Sequence, residues 1–150
     1  MITILVDRPI DVVWMYFTKP SNWNKWRGKG YGLKKVVPGW ENGATMIWEF
    51  SGSSTIKKII PKKEITIVSS FIDTTYKFKE DGILTTVIMK IESKPKHGAS
   101  FSDGGMAHKR QNETELQALK SSIESECSRE TLRPKKGFFS FLNRRKKEAL

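Results

Sequence analysis

A single long amphipathic helix near the C-terminal end constrains most strongly how this chain can fold. From Gly105 to Ser128, apolar residues recur at steps of three and four, which places them on one helix face. The recurring residues are Leu116, Leu119, Ile123 and Cys127. At 1.5 Å per residue the segment reaches about 36 Å, the width of a small domain. The second half of the helix therefore needs an extended apolar surface to cover it.

The first half of this helix is mostly polar. From Ala107 to Glu115 the sequence reads AHKRQNETE, in which only Ala107 is apolar. Since an amphipathic helix buries only its apolar face, this half must face water or a partly polar cavity.

Almost everything upstream reads as β-strand, after a first strand at 2–6 and two short helices at 9–18 and 22–26. Six further strands are predicted at 34–37, 45–50, 55–60, 64–71, 74–80 and 83–92, and Asp81-Gly82 is the strongest hairpin signal. The economical arrangement is an α+β fold. It has a curved antiparallel sheet of about seven strands, two short helices after strand 1, and one long C-terminal helix across the sheet.

Period-two alternation predicts which strand side chains face the helix. On the last strand, Ile83 is predicted to share the inner face with alternate residues as far as Ile91. The register of the strand at 55–60 stays open, because either choice turns Lys57 or Lys58 inward. The aromatic and Met residues predicted on the inner faces are Trp48, Phe50, Phe71, Tyr76, Phe78 and Met89.

Charge divides the chain into two parts. The net charge is +11 over 150 residues, and residues 129–150 hold eight Lys/Arg and two Glu, a net charge of +6. We therefore predict a folded domain at 1–128 and a basic, aromatic-containing tail at 129–150. One cysteine, no basic segment before an apolar N-terminal core and no run of eighteen apolar residues favour a cytoplasmic protein.

Several stretches carry a family resemblance: VDRPIDVVWMYFTKPSNWNKW, VPGWENGATMIWEF, TIKKIIPKKEITIV, GILTTVIMKIE and ELQALKSSIE. Over roughly residues 1–127 the chain resembles the START-like or SRPBCC superfamily, which includes polyketide cyclase, lipid-transport and birch-pollen-allergen-like proteins. The resemblance implies a helix-grip fold around a hydrophobic cavity. Such proteins bind lipids, sterols or polyketides, while a minority are cyclases, dehydratases or hydrolases and some are co-chaperones.

The expected function is therefore the binding or carrying of a small hydrophobic, lipid-, sterol- or polyketide-like ligand between sheet and helix. Apolar burial would supply the affinity, and a few polar groups would orient the ligand. The predicted ligand-binding residues are Trp48, Phe50, Phe71, Tyr76, Phe78, Thr85, Val87, Met89, Arg110 and Glu113. The alternatives are a cyclase- or dehydratase-type enzyme on an aromatic or polyketide substrate, or a co-chaperone-like interaction module.

Catalytic chemistry has weaker support. Arg110 and Glu113, with Tyr76, could move protons on an oriented substrate, but they would equally form an exposed pair along the helix. The two histidines, His97 and His108, have no neighbouring ligand cluster, so no metal is expected. The glycines at 28, 30 and 32 precede a strand rather than a helix, so no nucleotide cofactor is expected. We predict no catalytic residues.

The tail is a second candidate for function. Basic residues beside aromatic ones suit an anionic membrane surface, whereas nucleic acid is the poorer partner because the domain lacks a basic recognition helix. A solvated tail is the alternative, and the oligomeric state stays open. The predicted membrane contacts, which would make the protein peripheral at a membrane, are Phe138, Phe141, Leu142, Arg144 and Arg145.

Overall fold

The computed structural model describes residues 1–27, 32–50, 52–93 and 102–127, with side chains in the last range from residue 112 onward. These ranges contain seven strands and three helices, which confirms the α+β class. The long helix begins three residues earlier than predicted. In chain order the elements are β1 (Ile2–Val6), α1 (Ile10–Phe17), α2 (Pro20–Trp26), β2 (Leu33–Val37), β3 (Thr45–Trp48), β4 (Ser53–Ile60), β5 (Glu64–Val68), β6 (Ile72–Asp81), β7 (Leu84–Ser93) and α3 (Ser102–Glu126).

The strands form one open antiparallel sheet in the order β1-β7-β6-β5-β4-β3-β2. β2 to β7 follow one another as hairpins, and β1 joins the sheet beside β7, with Ile2 opposite Met89. Consequently the β3–β4 and β5–β6 turns, the start of β2 and the end of β7 all lie at one end of the sheet. We call this the distal end.

A β-bulge in β4 settles the register that alternation left open. Ile56 pairs with Ile67 but Lys58 pairs with Thr66, so the register shifts between Ile56 and Lys58. As a result Lys57 and Lys58 are both exposed, while Ile56 is fully buried. An extra residue in one strand thus keeps the inner face apolar across two consecutive lysines.

Three inner-face predictions were wrong because the strands are shorter than their alternation pattern. β3 and β5 end before Phe50 and Phe71, whose exposed fractions are 79% and 52%. β7 begins after Ile83, which is exposed in the β6–β7 turn beside Gly82. Gly82 has a φ of +64°, a conformation that glycine adopts without the Cβ clash of other residues, so the predicted hairpin there is confirmed.

The connection between β1 and α1 anchors the C-terminal end of α3. Arg8 Nε donates to the carbonyl of Cys127, and Arg8 Nη2 donates to the carbonyl of Glu124, each at 2.6 Å. The backbone amide of Asp7 donates to Glu124 Oε2 at 2.8 Å. Because the last carbonyls of a helix have no intrahelical partner, a cation placed here stabilises the helix end. The C-terminal end of α3 is therefore anchored at the end of the sheet opposite the distal end.

Candidate functional site

An aromatic layer lies between the sheet and the two short helices. Its rings contact one another with centroid separations between 4.7 and 6.5 Å. Offset and edge-to-face pairs of this kind contribute about 0.5–1.5 kcal/mol each beyond the apolar area they bury. The layer is therefore part of the hydrophobic core. Its members are Trp14, Phe17, Trp23, Trp26, Trp40, Trp48, Tyr76 and Phe78.

A charged pair lies at the edge of this layer, where α2 ends against α3. Arg27 is the C-cap residue of α2, and its Nε lies 3.3 Å from Oε1 of Glu115 on α3. The exposed fractions of the two side chains are 22% for Arg27 and 5% for Glu115. The guanidinium carbon lies 5.3 Å from the ring centroid of Trp48 and 6.0 Å from that of Trp26. The aromatic faces and Glu115 thus compensate the charge of Arg27 together.

Tyr76, on β6, is the neighbour of this pair. Its side chain is fully buried and stands edge-to-face against Trp26, with centroids 6.2 Å apart and ring planes at 88°. Burial raises the pKa of the Tyr76 phenol, the charge of Glu115 raises it further, and the charge of Arg27 acts in the opposite direction. The phenol therefore stays protonated in neutral solution and can donate a hydrogen bond.

The indole N–H of Trp26 differs from those of its neighbours. Trp23 Nε1 donates to the carbonyl of Phe17 at 2.6 Å, and Trp48 Nε1 donates to Ser54 Oγ at 2.9 Å. Trp26 Nε1 is buried too, yet it has no hydrogen-bond partner within the part of the chain that the structure describes. A buried donor left without an acceptor costs roughly 1–3 kcal/mol.

We call Trp26, Arg27, Tyr76 and Glu115 the polar cluster. Its members come from α2, the residue that caps α2, β6 and α3, so the tertiary fold assembles it. Trp48, the last residue of β3, contacts it from the distal end of the sheet. The cluster offers three kinds of donor, an indole N–H, a guanidinium and a phenol, beside one carboxylate. Such a set can orient an oxygen-bearing molecule, or give and take a proton from one.

The predicted lining residues fall into two groups. The fully or almost fully buried ones belong to β6 and β7, and Thr85 among them donates its Oγ1 to the carbonyl of Arg8 at 2.8 Å. Trp48 is partly buried, Phe50 and Phe71 lie on the distal-end turns, and the side chain of Arg110 lies outside the described residues. The buried residues are Tyr76, Phe78, Thr85, Val87 and Met89.

Glu113 lies on a different side of α3 from Glu115. Residues two apart on an α-helix are about 200° apart around its axis, so Glu113 is exposed where Glu115 is buried. Glu113 lines a groove of about 310 Å³ between β1 and α3. This groove faces β1, whereas the polar cluster faces α2. The other lining residues of the groove are Met1, Ile2, Thr3, Ile4, Leu116 and Gln117.

Sequence reasoning missed Trp26, Arg27 and Glu115 as site residues. One signal for Glu115 was present, because it precedes Leu119 by four residues and so lies beside the apolar stripe of α3. A carboxylate on the packed side of a helix needs a compensating partner. No comparable local signal marked Arg27, since its partner is far away in the sequence.

The tail predictions concern residues that the structure does not describe. The boundary at 128/129 lies there, and so do the membrane contacts, which stay predictions. Among the described helices, none combines the length and the apolarity that a bilayer crossing requires. The residues concerned are Phe138, Phe141, Leu142, Arg144 and Arg145.

No protein-family model matches the sequence, and no curated protein matches it. The fold, however, is similar to that of several solved structures. CalU16 from Micromonospora echinospora is 18% identical, with a TM-score of 0.58 over 87% of this chain and 76% of that one. KanY is 14% identical, with a TM-score of 0.65 over 82% of this chain and 94% of that one.

A third similar structure is DynU16, described as a protein of the dynemicin biosynthetic locus. It is 16% identical, with a TM-score of 0.60 over 83% of this chain and 46% of that one. At these identities the likeness shows the fold alone. The chain thus has a helix-grip-like fold, as the resemblance implied.

Proposed function

We propose that this chain is an SRPBCC-like protein that binds a small, largely apolar aromatic molecule of polyketide type between the sheet and α3. The polar cluster would orient the bound molecule. One observation carries the proposal: a group of hydrogen-bond donors and one carboxylate, mostly buried, is set into a layer of aromatic rings. Binding sites for small organic molecules have this composition, a mainly apolar surround with a few placed polar groups. The biosynthetic context of DynU16 fits the same class of ligand.

Apolar contact would supply most of the affinity. A ligand that buries about 200 Å² of apolar surface would gain about 5 kcal/mol, before the costs of association. Phe50 and Phe71 suit an entrance to such a site, because both are exposed on turns at the distal end. The β3–β4 and β5–β6 turns are two strand spacings apart, about 10 Å, so the side chains of Phe50 and Phe71 could stand on either side of an entering aromatic molecule.

The test is titration with N-phenyl-1-naphthylamine, an uncharged fluorophore whose emission rises in apolar surroundings. We expect saturable binding to the wild type and a dissociation constant that differs by at least about threefold in the double variant Arg27→Met/Glu115→Leu, because the bound fluorophore would contact both side chains. The matched control is Lys25→Met/Glu126→Gln, which removes an exposed ion pair of 2.6 Å between the same two helices and keeps an acceptor for the hydroxyl of Tyr16. Absence of saturable binding to the wild type, or an equal change of affinity in both double variants, would contradict the proposal.

An acid–base reaction on the bound molecule is the second candidate, and the position of Tyr76 beside Glu115 favours it. The Glu115 carboxylate would remove a proton from the carbon next to a carbonyl, and the phenol of Tyr76 would donate to the enolate oxygen that forms. The measurement is hydrogen–deuterium exchange at that carbon of 2-acetonaphthone in D₂O, followed by proton NMR. Faster exchange with the wild type than with Glu115→Gln supports catalysis, and equal rates exclude this role for Glu115.

A further inference from the structure

The indole N–H of Trp26 points to the kind of group that the ligand must carry. This donor is buried, and within the described residues no acceptor satisfies it, although the indoles of Trp23 and Trp48 both have acceptors. A ligand atom that accepts a hydrogen bond would recover the interaction that Trp26 lost on leaving water. The neighbouring phenol of Tyr76 is a second donor in the same cluster.

The charges of Arg27 and Glu115 determine whether a neutral or an anionic acceptor suits this site better. The charges that act on Tyr76 come from Arg27 and Glu115, which are opposite in sign and 3.3 Å apart. An anionic ligand would gain attraction from Arg27 but would meet the repulsion of Glu115 at nearly the same distance. It would therefore lose its hydration without a net electrostatic gain, whereas a neutral carbonyl loses much less hydration on burial.

We infer that the polar cluster selects an uncharged carbonyl oxygen, as in an aromatic ketone, through the N–H of Trp26 with Tyr76 as a second donor. This inference rests on the proposed function and adds the functional group that is recognised. It also distinguishes this site from one built for fatty acids or other carboxylates, where a cation without a nearby carboxylate would be expected.

Three probes of nearly equal shape test the inference: 2-acetonaphthone, 2-isopropenylnaphthalene and 2-naphthoate. The first carries a neutral carbonyl, the second replaces C=O by C=CH₂, and the third is an anion. Binding constants are measured for the wild type, for Trp26→Phe, which keeps an aromatic ring but removes the N–H, and for the control Trp40→Phe from the same aromatic layer. We expect Trp26→Phe to weaken the ketone roughly fivefold, as for loss of one hydrogen bond, and to change the hydrocarbon by less than twofold.

A second measurement needs no variant, so it stands even if Trp26→Phe is too unstable to study. In ¹H–¹⁵N spectra of the wild type, the Trp26 indole proton should move downfield on addition of the ketone and stay in place with the hydrocarbon. If it stays in place with both, for instance because it points at the face of the Tyr76 ring, the inference is overturned.

The remaining outcomes are also decisive. Equal weakening of ketone and hydrocarbon by Trp26→Phe, or tightest binding of 2-naphthoate, overturns the inference while the proposed function stands. Saturable binding of none of the three probes overturns the proposed function and this inference with it.

Discussion

Removal of Arg27 should expose how much the fold depends on the polar cluster. In Arg27→Met the carboxylate of Glu115, 5% exposed, loses its guanidinium partner but stays in the interior. Breaking a buried ion pair in this way costs about 3–5 kcal/mol. Because the Arg27 side chain is itself 22% exposed, water can reach part of the site, and we expect a loss of about 3 kcal/mol. For a domain of this length that corresponds to a fall in Tm of roughly 6–12 °C.

The double variant Arg27→Met/Glu115→Leu should recover most of that loss. Leucine at position 115 would extend the apolar stripe of Leu116 and Leu119, both of which are fully buried. Replacing a buried ion pair by apolar residues of similar volume is often neutral or stabilising. We therefore expect the double variant within about 1 kcal/mol of the wild type, so Glu115→Leu should restore at least about 2 kcal/mol in the Arg27→Met background.

The assay is urea unfolding followed by far-UV circular dichroism, because the rings of Trp26 and Trp48 near Arg27 would complicate a fluorescence signal. Lys25→Met is the matched control, since its ion pair with Glu126 is exposed and should contribute less than about 1 kcal/mol. A loss below 1 kcal/mol in Arg27→Met would refute the reasoning, because Glu115 would then be adequately compensated without the guanidinium.

Three further predictions concern other parts of the chain. Arg8→Lys should lower the free energy of unfolding by about 1–2 kcal/mol in urea, because one ammonium cannot reproduce both guanidinium bonds to the end of α3; unchanged stability would count against that anchor. Burial raises the pKa of Glu124, but hydrogen bonds from Lys120 and the Asp7 amide outweigh it, and the pKa lies below its usual 4.5. This stabilisation is present above about pH 4.5 and disappears as the pH falls through the folded-state pKa, so the wild type should lose more stability than Glu124→Gln between pH 7 and pH 3. Equal losses of stability in the wild type and in Glu124→Gln, measured by urea titration, would contradict this prediction. Phe71→Ser should leave the free energy of unfolding within about 0.5 kcal/mol of the wild type and speed the uptake of the fluorophore in stopped-flow mixing, because it widens the gap beside Phe50; an unchanged rate would remove Phe71 from the entrance.

The fold could be predicted from the sequence because the burial of one face leaves a repeated pattern of apolar residues along the whole of a helix or strand. On α3, Leu116, Leu119 and Ile123 recur with helical spacing, and all three are fully buried. In the sheet most turns carry their own signal, and Gly82 in the β6–β7 turn is one example. Since six of the seven strands follow as hairpins, local signals alone give most of the strand order.

The ends of the strands were harder to predict, because alternation does not show where a backbone leaves the sheet. Phe50 and Phe71 continue the period-two pattern, yet each lies in a turn. The bulge near Lys58 is the opposite case, where the pattern failed although the strand continues. In both cases hydrogen bonding between strands, which the sequence pattern does not report, decides the outcome.

The polar cluster could not be assembled from the sequence. Arg27 and Glu115 lie 88 positions apart, whereas helical spacing pairs only near neighbours on α3, such as Arg110 and Glu113. Glu115 carried a recognisable signal beside Leu119, but the identity of its partner depends on how α2 docks on α3. The tertiary structure determines which distant residues form ion pairs, and the periodicity of the sequence contains no information about them.

Among the described residues, two ion pairs join α2 and its cap residue to α3, and they differ in a way that bears on function. Lys25–Glu126 is exposed at 2.6 Å, and Arg27–Glu115 is mostly buried at 3.3 Å. The two glutamates are eleven residues apart, about 16 Å along α3, so either pair could set the position of the helix. Stability does not explain why the inner pair is ionic, since apolar residues would serve at least as well. Nor does stability explain why the buried indole N–H of Trp26, beside that pair, has no acceptor among the described residues. A ligand that uses the cluster explains both, and it requires that the apolar double variant remain folded while its affinity for that ligand changes.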